Sequence, residues 1–116
     1  KGNLLEPFAG HKFNIIIANL PYLDVQEIEN SPTKQELAYE PISALTTKDN
    51  GQYLIKKLLT QSPNYIQNPA IIYLEIGHNQ ATELSRLIKT IYSKSDVKII
   101  KDNCNFERFI KISIPA

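Results

Sequence analysis

The sequence predicts an α/β domain in which a mostly parallel sheet carries helices and ends in an antiparallel strand. Two apolar segments, Lys12–Ala18 and Ala70–Ile76, are typical of buried strands, and an amphipathic helix is predicted over His78–Tyr92. Two β-rich segments near the end, Val97–Lys101 and Arg108–Ile114, flank a polar turn and predict a hairpin. Strands that alternate with helices favour parallel pairing, and the hairpin adds the antiparallel element.

The first predicted strand leads into a long connection. Lys12–Ala18 is rich in Phe and Ile without alternation, which predicts a strand covered on both faces. Residues 19–50 then contain three prolines and little periodicity, and a loop of that length in a compact domain is usually functional or mobile. Within it, Ser31-Pro32 predicts the start of a short helix over Thr33–Ala38.

Two longer helices follow from apolar residues at helical spacing. A helix is predicted over Gly51–Tyr65, with Pro63 trimming its end, and the second helix is His78–Tyr92. The first has a broad apolar face formed by Tyr53, Leu54, Leu58 and Leu59, and the second has an apolar stripe formed by Ala81, Leu84, Leu87, Ile88 and Ile91.

Composition limits the class of protein. The 116 residues suffice for one domain, 42% are hydrophobic, and 13 basic against 12 acidic residues leave a net charge of +1, which gives no electrostatic case for nucleic acid. Cys104 is the single cysteine, so no intrachain disulfide forms, as expected in the cytoplasm. No apolar run approaches a membrane span of about 20 residues. The chain has no methionine and starts at Lys1, so we expect it to be a fragment of a longer protein.

The segment Asn19-Leu20-Pro21-Tyr22 is the strongest candidate site because it follows the first strand directly. Ligands of open α/β sheets bind beyond the carboxyl ends of the strands. The two N–H groups of a planar amide or exocyclic amine can donate to the Asn19 side-chain oxygen and the Leu20 carbonyl. Pro21 biases Leu20 toward an extended conformation, and Tyr22 can stack on the planar group. The segment therefore predicts a site that orients a weakly nucleophilic nitrogen toward an electrophile. A plain turn is the alternative.

Several further segments in the same order give the chain a resemblance to the peptide chain release factor glutamine N5-methyltransferases, the HemK/PrmC family. Phe13–Tyr22 is similar to that family's strand and Asn-Pro-Pro-Tyr motif. The other matching segments are Tyr39-Glu40-Pro41 with Ala44-Leu45, Asp49-Asn50-Gly51 with Tyr53, Leu74-Glu75-Ile76-Gly77 with Gln80, and Lys101-Asp102 with Arg108.

The resemblance implies a fold and a reaction. The fold would be the C-terminal half of a Rossmann-like sheet of class I S-adenosyl-L-methionine-dependent methyltransferases, with the last strand antiparallel. The reaction would be N5-methylation of a glutamine side chain in release factors. By resemblance, Asn19, Leu20, Pro21 and Tyr22 are the catalytic and glutamine-binding residues, and Asn19 and Asn3 are the cofactor-binding ones. A solvated strand end is the alternative for Asn3. Glu75 and Glu40 would be mainly structural hydrogen-bonding partners.

Two departures from the family qualify the resemblance. Leu20 replaces the usual proline, which keeps the carbonyl but leaves the loop less rigid. The four glycines, at positions 2, 10, 51 and 77, form no Gly-x-Gly, whereas the family's cofactor loop is glycine-rich. We therefore expect residues 1–116 to be a partial catalytic domain that binds S-adenosyl-L-methionine weakly or not at all by itself and is inactive alone. The cofactor loop and a helical substrate domain would precede Lys1.

Other functions stay open at this point. An adenine N6-methyltransferase on RNA or DNA is one alternative, since Asn-Leu-Pro-Tyr also occurs in rRNA adenine dimethyltransferases, and a non-catalytic half-Rossmann interaction module is another. His11 and His78 lack partners at metal-ligand spacing, so no metal site is expected. An uncovered edge of the first strand predicts self-association. A solvated face is the preferred interpretation of the basic residues near the hairpin, which are Lys94, Lys98, Lys101, Arg108 and Lys111.

Overall fold

The computed structural model describes residues 2–22, 49 and 51–116. Its helices and strands follow the predicted order. They are β1 (Phe13–Ala18), α1 (Tyr53–Gln61), β2 (Ile66–Glu75), α2 (Ala81–Ile91), β3 (Asp96–Lys101) and β4 (Glu107–Ile114), with 3-10 turns at Glu6–Phe8 and Ser62–Asn64. The predicted short helix Thr33–Ala38 and the segments around Glu40 and Ala44 lie outside the described residues.

The four strands form one sheet in the order β1-β2-β4-β3. β1 and β2 run parallel, whereas β4 is antiparallel to both of its neighbours. This confirms the predicted α/β class with an antiparallel final strand. Ala18 pairs with Leu74, so the carboxyl ends of β1 and β2 meet at the same edge of the sheet. That edge is the one at which the Asn19–Tyr22 segment begins.

The second strand and the first helix differ in length from the prediction. β2 begins at Ile66 rather than Ala70, because Phe13 pairs with Ile66 across an irregularity in the ladder. The side chain of Asn14 spans this irregularity and donates to the carbonyls of Gln67 and Pro69, at 2.8 and 2.9 Å. The α-helix ends at Gln61, and the residues up to Asn64, which include Pro63, form a 3-10 turn.

Both helices pack on one face of the sheet around a single apolar core. The predicted stripe of α2 is confirmed, because its residues are buried or packed against this core. In α1 the prediction was wrong for Tyr53, which is 46% exposed, while Ile55 is 1% exposed instead. The fully buried apolar side chains are Ile55, Leu59, Ile72, Leu74, Ile76, Leu84, Ile88, Ile110 and Ile112.

The opposite face of β1 is exposed. Ile15 is 59% exposed and Ile17 is 77% exposed, whereas Ile16 between them is 8% exposed. The prediction that the first strand is covered on both faces was therefore wrong, because α1 and α2 lie on the same side as Ile16. We call this uncovered side the open face; it also carries Ile71 and Tyr73, which pair with Ile15 and Ile17. In the part of the chain that is described, no helix has the length and apolar character to cross a membrane.

Candidate functional site at the carboxyl edge of the sheet

The Asn19–Tyr22 segment leaves the carboxyl end of β1 beside the end of β2. Asn19 is exposed, and the three residues after it are half-buried. Neither the Asn19 carboxamide nor the Leu20 carbonyl takes part in a hydrogen bond among residues 2–22, 49 and 51–116. The segment thus presents a carboxamide and a carbonyl at the edge where ligands of such sheets bind.

The hydroxyl of Tyr22 is fixed by two charged side chains from neighbouring strands. It donates to Glu75 Oε1 at 3.0 Å, at the end of β2. Arg108, near the start of β4, donates from Nη1 to the same hydroxyl at 3.3 Å and to the carbonyl of Ile76 at 3.4 Å. Since Ile76 N also bonds Arg108 O at 2.8 Å, these strand ends hold the Tyr22 side chain as one unit.

Burial raises the pKa of Tyr22, and the hydrogen bond to Glu75 and its negative charge raise that pKa further. The charge of Arg108 lowers the same pKa and offsets part of this effect. With its pKa above the ordinary value of about 10, the hydroxyl is protonated near neutral pH and serves as the donor to Glu75. Tyr22 is therefore a positional anchor at this edge and is not poised as a base.

Arg108 is oriented in turn by Asp102, which also closes the β3–β4 turn. Asp102 Oδ2 accepts from Arg108 Nε at 3.2 Å, and Oδ1 accepts from the amides of Cys104 and Phe106 at 2.8 and 3.1 Å. The bond from the Phe106 amide is the main reason that the pKa of Asp102 is lowered. The carboxylate is therefore ionised near neutral pH and holds the guanidinium toward Tyr22.

The backbone carbonyl of Tyr22 is held as well. Gln80, which is 1% exposed, donates from Nε2 to this carbonyl at 2.8 Å and accepts from the amide of Gly77 through Oε1 at 2.8 Å. Gly51 lies against the same carbonyl. The segment is thus anchored through Tyr22, while the Asn19 side chain is exposed and half-buried Leu20 packs against the core. A carboxamide oxygen and a backbone carbonyl are both acceptors for a planar N–H donor.

The sequence predicted the Asn19–Tyr22 segment but not most of the side chains that hold it in place. Glu75 was expected to be a hydrogen-bonding partner, and its bond to Tyr22 confirms this. Arg108 was assigned to a solvated basic face, which was wrong because it turns inward to Tyr22 and Asp102. In the sequence, Arg108 follows the matching segment Lys101-Asp102, and Gln80 follows the matching segment Glu75-Ile76-Gly77. Both residues could therefore be selected by the resemblance, but neither pattern predicts a contact with Tyr22.

Among the described residues, no hydrogen bond joins Asn3 to the Asn19–Tyr22 segment. Its side chain donates to Glu6 at 3.4 Å in an exposed turn, and nearby Leu5 N bonds Gln61 at the end of α1. Asn3 thus lies in the turn before β1. Its suggested contact with the cofactor stays a prediction.

The described residues hold neither a metal-binding cluster nor a buried thiol. Among the described residues, no three His, Cys, Asp or Glu side chains come together at metal-binding distance. The ring of His78 lies 5.6 Å from the ring of Phe106, and Cys104 is exposed in the β3–β4 turn. The groups described at this edge are the Asn19 carboxamide, the Leu20 carbonyl and the Tyr22 ring, with Glu75 and Arg108 at the Tyr22 hydroxyl.

Comparison with curated proteins identifies relatives along most of the chain. A release factor glutamine methyltransferase of Enterococcus faecalis is 35% identical over 101 residues, which are 87% of this chain and 36% of that protein. One from Francisella tularensis is 32% identical over 103 residues, 89% of this chain and 35% of that protein. A ribosomal protein uL3 glutamine methyltransferase of Francisella tularensis is 32% identical over 80 residues, 69% of this chain and 25% of that protein. No protein-family model matches the chain.

Comparison with solved structures agrees with the sequence relatives. The crystal structure of a release factor-specific protein-(glutamine-N5) methyltransferase from Alicyclobacillus acidocaldarius superposes with a TM-score of 0.50 at 26% identity, over 57% of this chain and 42% of that one. The chain spans little more than a third of the length of the curated release factor enzymes that it matches. Its sequence and its fold together show that the chain belongs to the release factor glutamine methyltransferase family.

Proposed function

We propose that the full-length protein to which these residues belong transfers a methyl group from S-adenosyl-L-methionine to the side-chain nitrogen of a glutamine in a release factor. The observation that carries the proposal is the Asn19–Tyr22 segment at the carboxyl edge of the sheet, which is anchored through the hydroxyl and the carbonyl of Tyr22 and leaves Asn19 exposed. The named activity of the relatives supports the reaction class. Since translation terminates in the cytoplasm, the proposed reaction locates the protein there.

The chemistry of an amide nitrogen explains why such a segment suffices. Its lone pair is delocalised into the carbonyl, so the nitrogen is a weak nucleophile that gains most from orientation and from exclusion of water. In this proposal its two N–H groups donate to the Asn19 oxygen and the Leu20 carbonyl, which directs the nitrogen toward the methyl donor. Both acceptors favour the developing positive charge on nitrogen in the transition state. The half-buried ring of Tyr22 lines the slot.

The described residues fit the substrate side of this reaction better than the cofactor side. S-adenosyl-L-methionine supplies a methyl group on a sulfonium, which is electrophilic without acid catalysis. Asn19 carries an uncommitted carboxamide at the edge where that methyl would arrive, whereas Asn3 is turned to Glu6 and the sequence has no Gly-x-Gly. We therefore propose that these residues form the glutamine-binding part of a larger catalytic domain, with most cofactor contacts made by other parts of the protein.

Transfer of labelled methyl tests the proposal. The full-length protein should label a release factor when supplied with labelled S-adenosyl-L-methionine, and Asn19→Ala should lower kcat/KM about a hundredfold, as expected for loss of an orienting group. Asn14→Ala is the matched control, since Asn14 bonds Gln67 and Pro69 at the other end of β1 and should retain activity. An Asn19→Ala protein of unchanged activity would contradict the role of Asn19. Label in nucleic acid, and none in protein, would favour the adenine alternative.

A ribosomal protein is the second candidate substrate because one of the relatives is named for methylation of uL3. The same glutamine chemistry would apply, so the site itself does not distinguish the two. The labelling assay should therefore offer a release factor and ribosomal protein uL3 side by side. Preferential labelling of uL3 would replace the release factor as substrate and leave the reaction class unchanged.

A further inference from the structure

Gln80 is a buried side chain that bonds the backbone of the candidate site. It precedes α2 directly, is 1% exposed, and bridges the Gly77 amide and the Tyr22 carbonyl with two hydrogen bonds of 2.8 Å. The second of these bonds joins residues that are 58 positions apart in the sequence. A buried amide with both ends engaged holds its partners at a fixed separation.

Gly51 shows how closely this carbonyl is enclosed. A Cβ at Gly51 would lie 1.7 Å from the Tyr22 oxygen and 2.9 Å from Gln80 Nε2, and the residue has a φ of +81°. Any side chain would therefore collide with backbone and adopt an unfavourable conformation. The start of α1 and the start of α2 thus meet at the carbonyl of Tyr22, one on each side of the hydrogen bond.

We propose that Gln80 is a positioning residue for the Asn19–Tyr22 segment, and that Gly51 provides the close approach that this requires. Gln80 fixes the backbone of Tyr22 while Glu75 and Arg108 fix its hydroxyl, and together they set the direction in which Asn19 and Leu20 present their acceptors. The inference deepens the proposed function and rests on it for its kinetic consequence. Its structural consequence, an ordered Asn19–Tyr22 segment, is independent of the substrate.

Gln80→Met is the informative substitution because it nearly preserves the volume and removes the side-chain amide that bonds the Gly77 amide and the Tyr22 carbonyl. In the full-length protein we expect kcat with release factor to fall at least tenfold, since a small displacement of an orienting group is costly, while the KM for S-adenosyl-L-methionine stays within twofold. Gln80→Glu keeps an acceptor for the Gly77 amide but, when ionised, cannot donate to Tyr22. A fall in kcat with Gln80→Glu similar to that with Gln80→Met would assign the effect to loss of the amide donor, which bonds the Tyr22 carbonyl, and not to loss of the acceptor.

Ser62→Ala is the control for general loss of stability. Ser62 is fully buried and its hydroxyl lies 2.7 Å from that of Tyr92, far from Tyr22 in the hydrogen-bond network. Ser62→Ala should lower the melting temperature as Gln80→Met does. At an assay temperature below the melting temperatures of both variants, Ser62→Ala should leave kcat unchanged. A Gln80→Met protein that keeps the kcat of the unsubstituted protein would overturn the inference, and so would an equal loss of kcat in Ser62→Ala.

Hydrogen exchange separates this inference from the proposed function. In Gln80→Met, peptides that contain Asn19, Leu20 and Tyr22 should exchange their amide hydrogens at least tenfold faster, while peptides from β3 and β4 stay unchanged. This result is expected whether or not a release factor is the substrate. Unchanged exchange in the segment would overturn the positioning role, and absence of methyl transfer by the unsubstituted protein would overturn only the proposed function.

Discussion

Ile16 and Ile17 are neighbours in β1, yet Ile16 is 8% exposed beneath the helices and Ile17 is 77% exposed on the open face. The same contrast continues across the sheet, where Ile72 in β2 is fully buried and its neighbour Ile71 is half-exposed. In these two strands, isoleucine occurs on both faces. The difference between them comes from the helices, since α1 and α2 pack on one side only.

The comparison shows that a run of apolar residues predicts a strand but does not predict which of its two faces is covered by helices. A solvent-exposed row of isoleucines gains little from the hydrophobic effect, whereas burial of an Ile side chain is worth roughly 1.5–3 kcal/mol. The isoleucines of the open face therefore contribute less to the free energy of unfolding than those of the covered face do. Large apolar patches at a surface commonly mark contacts with other protein segments. Substitutions on the two faces test this contrast, and one in the β3–β4 turn gives the effect of a surface charge for comparison.

Ile72→Ala should have the largest effect. Ile72 is fully buried between the sheet and the helices, so truncation leaves a cavity and should lower the free energy of unfolding by about 2–5 kcal/mol. Urea unfolding of the purified protein measures the loss, and Ile17→Ala on the open face is the matched control, expected within about 0.5 kcal/mol of the unsubstituted protein. Equal losses for the two variants would mean that both faces are buried in solution.

Asp102→Asn should have an intermediate effect that depends on pH. Folding lowers the pKa of Asp102, mainly through the Phe106 amide, so the carboxylate stabilises the fold above its unfolded pKa of about 3.9. That contribution is lost as the pH falls through the lowered folded value. Asp102→Asn should therefore be less stable at pH 7, by less than Ile72→Ala, and the gap should close below about pH 3.9. A gap that persists in acid would contradict the role of the charge.

Ile17→Lys should change stability least and association most. We expect the 116-residue chain by itself to self-associate, since β1 lies at the edge of the sheet that the described strands form, and its exposed side carries Ile15 and Ile17. A lysine at position 17 should leave the free energy of unfolding within about 0.5 kcal/mol and shift the chain toward the monomer. Sedimentation velocity at several concentrations measures the shift. A chain that is monomeric before the substitution would contradict the expectation.

In the candidate site, the segment itself was predictable from the sequence, whereas the side chains that anchor it were not. The run of isoleucines that ends in Asn19-Leu20-Pro21-Tyr22 predicted a strand with a polar segment at its carboxyl end, and the structure has both. The anchors of Tyr22 were not predictable because Gln80 and Arg108 are 58 and 86 residues away in sequence. Periodicity reports which side of a helix or strand is apolar, but not which distant side chain it meets.

By itself the sequence determined the order of helices and strands, the α/β class, the apolar stripe of α2 and the segment that carries the candidate chemistry. These follow from local spacing and from residue types whose preferences act within a few positions. Only the tertiary structure decided that both helices share one face, that Arg108 turns inward, and that Gln80 and Gly51 enclose the carbonyl of Tyr22. Such contacts depend on how strands register and helices pack, and no local pattern contains that information.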